Sequence, residues 1–157
     1  MPREITFRFI GLIHTPYSEK QDAPIQGCFA PSNKGHIELY PEYAEGLKDI
    51  QGFSHLILLY YFHKAEGCDL LAKPFLDKGK KGIFAIRHFN RPNPIGLSIV
   101  RLFQVRGNTL DIGGVDMIDG TPLLDIKPYV PQFDIKKDVR DGWYQNASER
   151  SKYKVEE

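Results

Sequence analysis

Seven consecutive apolar residues, Leu56-Ile57-Leu58-Leu59-Tyr60-Tyr61-Phe62, constrain the fold more than any other feature of this chain. Residues 52–63 around them read as a strand that is apolar on both faces, and such a strand belongs in the middle of a sheet. Its neighbours are short. Residues 6–13 and 36–40 alternate polar and apolar, and 82–87 reads as a further strand. Residues 97–106 and 109–115 flank Gly107-Asn108, a hairpin turn signal. Residues 123–126 form a last strand. The best helix candidate is 41–50, where Pro41 suits a first turn and acids follow it. Regular alternation of strand and helix is missing, which argues against a doubly wound sheet. About six short strands and one helix predict a mainly β fold. A small antiparallel barrel with one or two short helices protects the strand edges most economically.

At 157 residues the chain is about one domain's worth. The 14 glycines and 11 prolines are spread through it and punctuate many turns. Residues 14–34 and 70–82 read as loops, the second exposed and carrying Lys73, Lys78, Lys80 and Lys81. Those lysines suit either an RNA-facing patch or a solvated surface. Beyond residue 133 the character changes, and half of the residues from 134 to 157 are charged. We expect a barrel domain over 1–133 and a charged C-terminal extension over 134–157, anchored by Trp143-Tyr144.

Several function classes recede on composition. Lys and Arg total 21 against 20 Asp and Glu, so binding nucleic acid by bulk charge is disfavoured, though a local basic patch is not. No apolar run is long enough to span a membrane, and Met1-Pro2-Arg3-Glu4 opens on no apolar signal core. A cytoplasmic protein is expected. Cys28 and Cys68 form no CxxC pair and read as reduced thiols. His14, His36, His55, His63 and His88 show no metal-ligand spacing, so no metal is expected. His55 and His63 fall on one face if the central strand runs through both.

Two stretches remain in which charge, proline and glycine crowd between strands. The first runs Ala85-Ile86-Arg87-His88-Phe89-Asn90-Arg91-Pro92-Asn93-Pro94-Ile95-Gly96-Leu97-Ser98. The second runs Gly113-Gly114-Val115-Asp116-Met117-Ile118-Asp119-Gly120-Thr121-Pro122 and continues to Tyr129. By composition both are rigid surface loops, and rigid charged loops at strand ends are also where a pocket forms.

These stretches carry a resemblance. RPNPIGLS followed by DxxDGTPLLDIKPY, with SHLILLYYFH upstream and PIQG near the N-terminus, resembles the TsaA-like (TrmO) family from about Phe9 to Phe133. The resemblance implies a small β-barrel that dimerises and binds S-adenosylmethionine outside any Rossmann fold. It implies methylation of N6 of N6-threonylcarbamoyladenosine beside the tRNA anticodon. The family's cofactor contacts fall on Pro24, Ile25 and Gln26, on His63 and Lys64, on Arg87 and Leu97, and on Gly113, Gly114, Val115 and Asp116. The bacterial form has arginine where Ile25 stands and glutamine where Lys64 stands. It also carries a second, C-terminal domain with no counterpart expected here. Other acceptors of the methyl group, or a cofactor-binding module without catalysis, are alternatives on the same fold.

The residue chemistry suits that cofactor. Arg87 can grip a carboxylate with two prongs. Gly113 and Gly114 allow close backbone approach. Tyr60, Tyr61 and Phe62 offer aromatic faces to a sulfonium. A protonated ureido-type nitrogen is a poor nucleophile, so a base helps, and Asp119, Asp125 and His63 are the catalytic candidates.

Overall fold

A computed structural model describes residues 1–153 and 155. Six strands close into an antiparallel barrel in the order β1-β2-β7-β6-β3-β8. They are β1 (Gly11–His14), β2 (Lys34–Leu39), β3 (His55–Tyr61), β6 (Ile95–Arg106), β7 (Thr109–Gly113) and β8 (Thr121–Pro128). A two-stranded ribbon, β4 (Leu71–Ala72) with β5 (Lys81–Gly82), stands outside it. Among the described residues the one α-helical turn, α1, is Pro131–Asp134.

Alternation decides what enters the barrel. Leu56, Leu58 and Tyr60 of β3 point inward, as do Ser98, Val100 and Leu102 of β6. They meet Ile13, Ile37, Leu110, Ile112 and Leu123 in one apolar core. The hairpin between β6 and β7 turns at Gly107, whose φ of 59° suits glycine, and Asn108 Nδ2 donates to the Leu39 carbonyl at 2.6 Å. Gly96 is needed for packing. A Cβ there would lie 2.2 Å from the Tyr60 ring, so its absence lets that ring lie against β6.

The structure corrects six expectations. The central run is buried on one face; Ile57, Leu59 and Tyr61 remain half exposed on the barrel's outer wall. β3 ends at Tyr61, so His55 and His63 do not share one strand face. Residues 6–9 lie exposed outside the strands, and pairing begins at Gly11. Residues 41–50 make a 3-10 turn over Pro41–Leu47, ended where Asp49 adopts a left-handed φ of 68°. Residues 82–87 do not form the expected strand: pairing stops at Gly82 and Ile83–Ala85 closes as a 3-10 turn. The stretch 70–82 is likewise no open loop. It folds back as the β4–β5 ribbon and buries Ala72 and Leu76.

Beyond α1 the chain returns to the ribbon. Trp143 packs on Ala72, Ile83 and Ile86, and its indole N–H donates to the Ala85 carbonyl at 2.7 Å. Lys154, Glu156 and Glu157 of the expected extension lie outside the described residues.

Candidate functional site

A cavity of about 1120 Å³ opens at one end of the barrel. It is larger than the roughly 300–1,000 Å³ of most small-molecule sites. The loop after β1, the chain leaving β3, the start of β6 and the loop before β8 build it.

Two glycines bring the first and last of these loops together. A Cβ on Gly27 would lie 2.0 Å from the Gly114 carbonyl oxygen, and Gly114 itself has φ of 74°. Their contact places the Gly27 N–H 2.9 Å from Asp116 Oδ2. Ser98 Oγ donates to Asp116 Oδ1, and the Tyr60 hydroxyl lies 2.9 Å from Ser98 Oγ. Tyr60, Ser98, Asp116 and the Gly27 amide thus form one continuous polar chain beside the cavity. Burial pushes the Asp116 carboxyl up to about 6, against the hydrogen bonds from Ser98 and Gly27. Burial likewise raises the Tyr60 hydroxyl, so that phenol stays protonated.

Arg87 follows the Ile83–Ala85 turn rather than ending a strand. Its Nη1 donates to Gln26 Oε1 at 3.1 Å across the cavity mouth. Arg91 has a different task. Its guanidinium donates to the carbonyls of Ile86 at 2.9 Å and His88 at 3.3 Å, which braces the segment carrying Arg87. On the wall Phe62, Phe75 and Phe89 make edge and tilted contacts, with His88 stacked on Phe75 and Phe89 and Lys20 Nζ 3.5 Å from the Phe89 ring centroid.

The structure gathers Pro24, Ile25, Gln26, His63, Lys64, Arg87, Leu97 and Asp116 on the cavity wall. Gly113, Gly114 and Val115 stand behind that wall; Val115 is wholly buried in the core. Of the three candidate bases, His63 faces the cavity. Its Nδ1 is buried and has no hydrogen-bond partner among the described residues. Burial, and next the neighbouring Lys64 charge, hold this imidazole below its usual range, so it is neutral at pH 7. Asp119 is off the wall, accepting from the Thr15 N–H at 3.1 Å and lying 3.2 Å from His14 Nδ1. Asp125 pairs with Lys127 at 2.7 Å, also away from the cavity. Lys64 reaches back to the Ser18 carbonyl at 3.0 Å.

Sequence reasoning missed Ser98 as the link between Tyr60 and Asp116, although Ser98 closes the quoted motif. It also missed Phe75 and Phe84 on the wall, and Tyr153 from the far end of the chain. Among the described residues no group of three or more His, Cys, Asp or Glu is gathered as a metal site would need. Likewise, among them no helix is long and apolar enough to cross a membrane.

Taken together, these groups suit an anionic, flat and partly cationic ligand. They comprise a guanidinium for a carboxylate, aromatic faces for a ring or a cation, a buried acid for a hydroxyl or amine, and a neutral imidazole. Known proteins carry the same arrangement of sequence. A Pyrococcus abyssi protein named as a probable S-adenosyl-L-methionine-binding protein is 53% identical over 143 residues, covering 91% of this chain and 78% of that one. The tRNA (adenine(37)-N6)-methyltransferase of Escherichia coli K12 is 37% identical over 151 residues, covering 90% of this chain and 64% of that one. A crystal structure of TrmO superposes with a TM-score of 0.76 at 39% identity, covering 89% of this chain and 64% of that one. The chain therefore spans less than two thirds of the Escherichia coli enzyme and of the solved TrmO chain. The sequence model of the tRNA-methyltransferase O N-terminal domain matches residues 12–135, most of the chain, and this protein belongs to that family.

Proposed function

We propose that this protein is an S-adenosylmethionine-dependent methyltransferase that acts on tRNA, at N6 of N6-threonylcarbamoyladenosine beside the anticodon. One observation carries this reading: the cavity lining combines the Arg87–Gln26 clasp, the buried acid Asp116 and the imidazole of His63. The names of the Pyrococcus abyssi and Escherichia coli relatives support it. Residues 1–133 form the working domain, and 134–157 are its extension.

Arg87 and Gln26 hold the cofactor's carboxylate, and the Phe62–Phe89 wall faces its rings and cationic centre. When bound, the cofactor supplies an electrophilic methyl group. The cavity exceeds what one such ligand needs, which leaves room for the acceptor nucleobase beside it. Neutral His63, which lines the cavity, receives the proton that the acceptor N6 gives up. Arg91 and the two prolines beside it keep the Arg87 segment rigid, so alignment does not have to be established anew at each turnover.

The protein works in the cytoplasm as a homodimer. Ile95, Leu97, Ile99 and Phe103 of β6 stand exposed beside Ile57, Leu59 and Tyr61 of β3, an apolar outer wall suited to a second copy. Leu97 belongs to both that wall and the cavity, so the two sites adjoin. Light scattering should give twice the 18.0 kDa chain mass, and Ile99→Glu should give a monomer.

The deciding experiment is mass spectrometry of nucleosides from tRNA treated with the protein and S-adenosylmethionine. The tRNA should come from a strain that makes N6-threonylcarbamoyladenosine but lacks its N6-methyl form. Appearance of the methylated nucleoside is the expected result. Cofactor binding without any methylated nucleoside would overturn the tRNA assignment.

A further inference from the structure

The match to the family ends at residue 135, yet the cavity does not. Tyr153 lines it, and stacks on Phe29 with ring centroids 5.2 Å apart and 28° between planes. Phe29 lies two residues beyond Gly27, whose N–H is bound by Asp116. The segment leading to Tyr153 is tied to the ribbon at several points. Trp143 holds the Ala85 carbonyl, two residues before Arg87, and the ammonium of Lys81 lies 5.7 Å from the Trp143 ring centroid. Further along, the Glu149 N–H donates to the Leu76 carbonyl at 3.1 Å, and Ser148 Oγ lies 3.4 Å from Asp77 Oδ1. A strap therefore runs from the Arg87 segment to the Gly27–Phe29 turn and delivers an aromatic ring to the cavity.

We propose that Tyr153 is a cofactor-binding residue, and that the C-terminal strap completes the S-adenosylmethionine site by presenting the Tyr153 ring to the flat adenine. This rests on the reading of the cavity as the site of that cofactor. Phe29 stacks on the Tyr153 ring and steadies it, and stacking on an aromatic face is a strong sequence-independent way to hold a base. The strap is bonded to the same ribbon and turn that lead to Arg87. Ligand held by Arg87 and covered by Tyr153 therefore links both ends of the strap.

The chain has one tryptophan, Trp143, at the strap's anchor, so its fluorescence reports on the strap directly. The test is titration of the full chain with S-adenosylmethionine, followed by calorimetry and by Trp143 emission. Wild type, Tyr153→Ala and Tyr153→Phe are compared, each with its ligand-free melting temperature. Tyr153→Ala should weaken binding about tenfold with an unchanged ligand-free melting temperature, and Tyr153→Phe should restore affinity to within about twofold. Trp143 emission should change on saturation in wild type. Wild-type affinity in Tyr153→Ala overturns the strap inference and leaves the cofactor reading standing. Absence of calorimetric binding in wild type overturns both.

Discussion

Gly27 and Gly114 touch backbone to backbone, with room for no side chain on Gly27: its Cβ would meet the Gly114 carbonyl oxygen at 2.0 Å. That contact is what puts the Gly27 amide on Asp116 and the Gln26 amide oxygen on Arg87. Gly27→Ala must push the loops apart, because the obstructing atom is backbone. We expect a loss of about 2–4 kcal/mol in stability, from the clash and the broken buried hydrogen bond. Cofactor affinity should fall with it. Chemical denaturation compared with wild type checks the first figure, and calorimetry checks the second.

Asp116 predicts a pH dependence with a definite sign. Its folded carboxyl sits at about 6, above its ordinary 3.8. Between pH 4 and 6 the folded state therefore binds more protons than the unfolded state, and the contribution of this group to stability falls as pH rises. Above pH 6 the loss is complete, about 3 kcal/mol relative to a side chain that does not titrate. Asp116→Asn removes the slope. The variant should gain on wild type by roughly that amount between pH 4 and pH 7, read by denaturant melts at both. Parallel curves for the two proteins would refute it.

His63→Ala should slow single-turnover methylation by roughly 10²-fold or more, the size of a lost general base, with cofactor affinity within a few fold. The rate should also fall with acid only below the ordinary histidine range, since burial and Lys64 depress this imidazole. If Asp119→Asn abolishes the reaction while His63→Ala retains it, the proton goes to Asp119 instead.

Arg87→Ala should weaken S-adenosylmethionine binding by about 10- to 100-fold, since its guanidinium stands exposed until a ligand covers it. Arg87→Lys should recover part of this, lacking the second prong. Arg106 provides the contrast. It grips Asp111 through two bonds of 2.9 and 3.0 Å on the β6–β7 hairpin, away from the cavity. Arg106→Ala should leave calorimetric affinity unchanged.

Much of the barrel was legible in the sequence because period-two alternation and the Gly107-Asn108 turn are local signals. The wall residues Arg87, Leu97 and Asp116 were legible through a long motif, not through their chemistry. What failed had non-local causes. Ile83, Phe84, Ala85 and Ile86 look like a strand, but the chain leaves its partner at Gly82, and Ile83 and Ile86 pack on Trp143 while Phe84 stays exposed. Asp119 and Asp125 look as catalytic as His63 until register is known. Asp125 lies opposite Leu59, beside an irregularity in the β3–β8 ladder, and its carboxylate meets Lys127 outside the cavity. Tyr153 and Phe29 meet across most of the chain's length, and no spacing rule relates them.

The closed sheet leaves no strand edge waiting for a partner, and the cavity is walled mostly by the loops that join the strands at one end. Two layers of kinetic behaviour follow within one molecule. Amides paired around the barrel should exchange with solvent water only when the whole protein opens, whereas those in residues 20–33 and 62–93 exchange by local excursions. Away from close backbone contacts such as Gly27 on Gly114, changes in the loops are thereby less coupled to the survival of the barrel. Such a scaffold can trade one methyl acceptor for another by rewriting its rim, keeping the same six strands as a chassis.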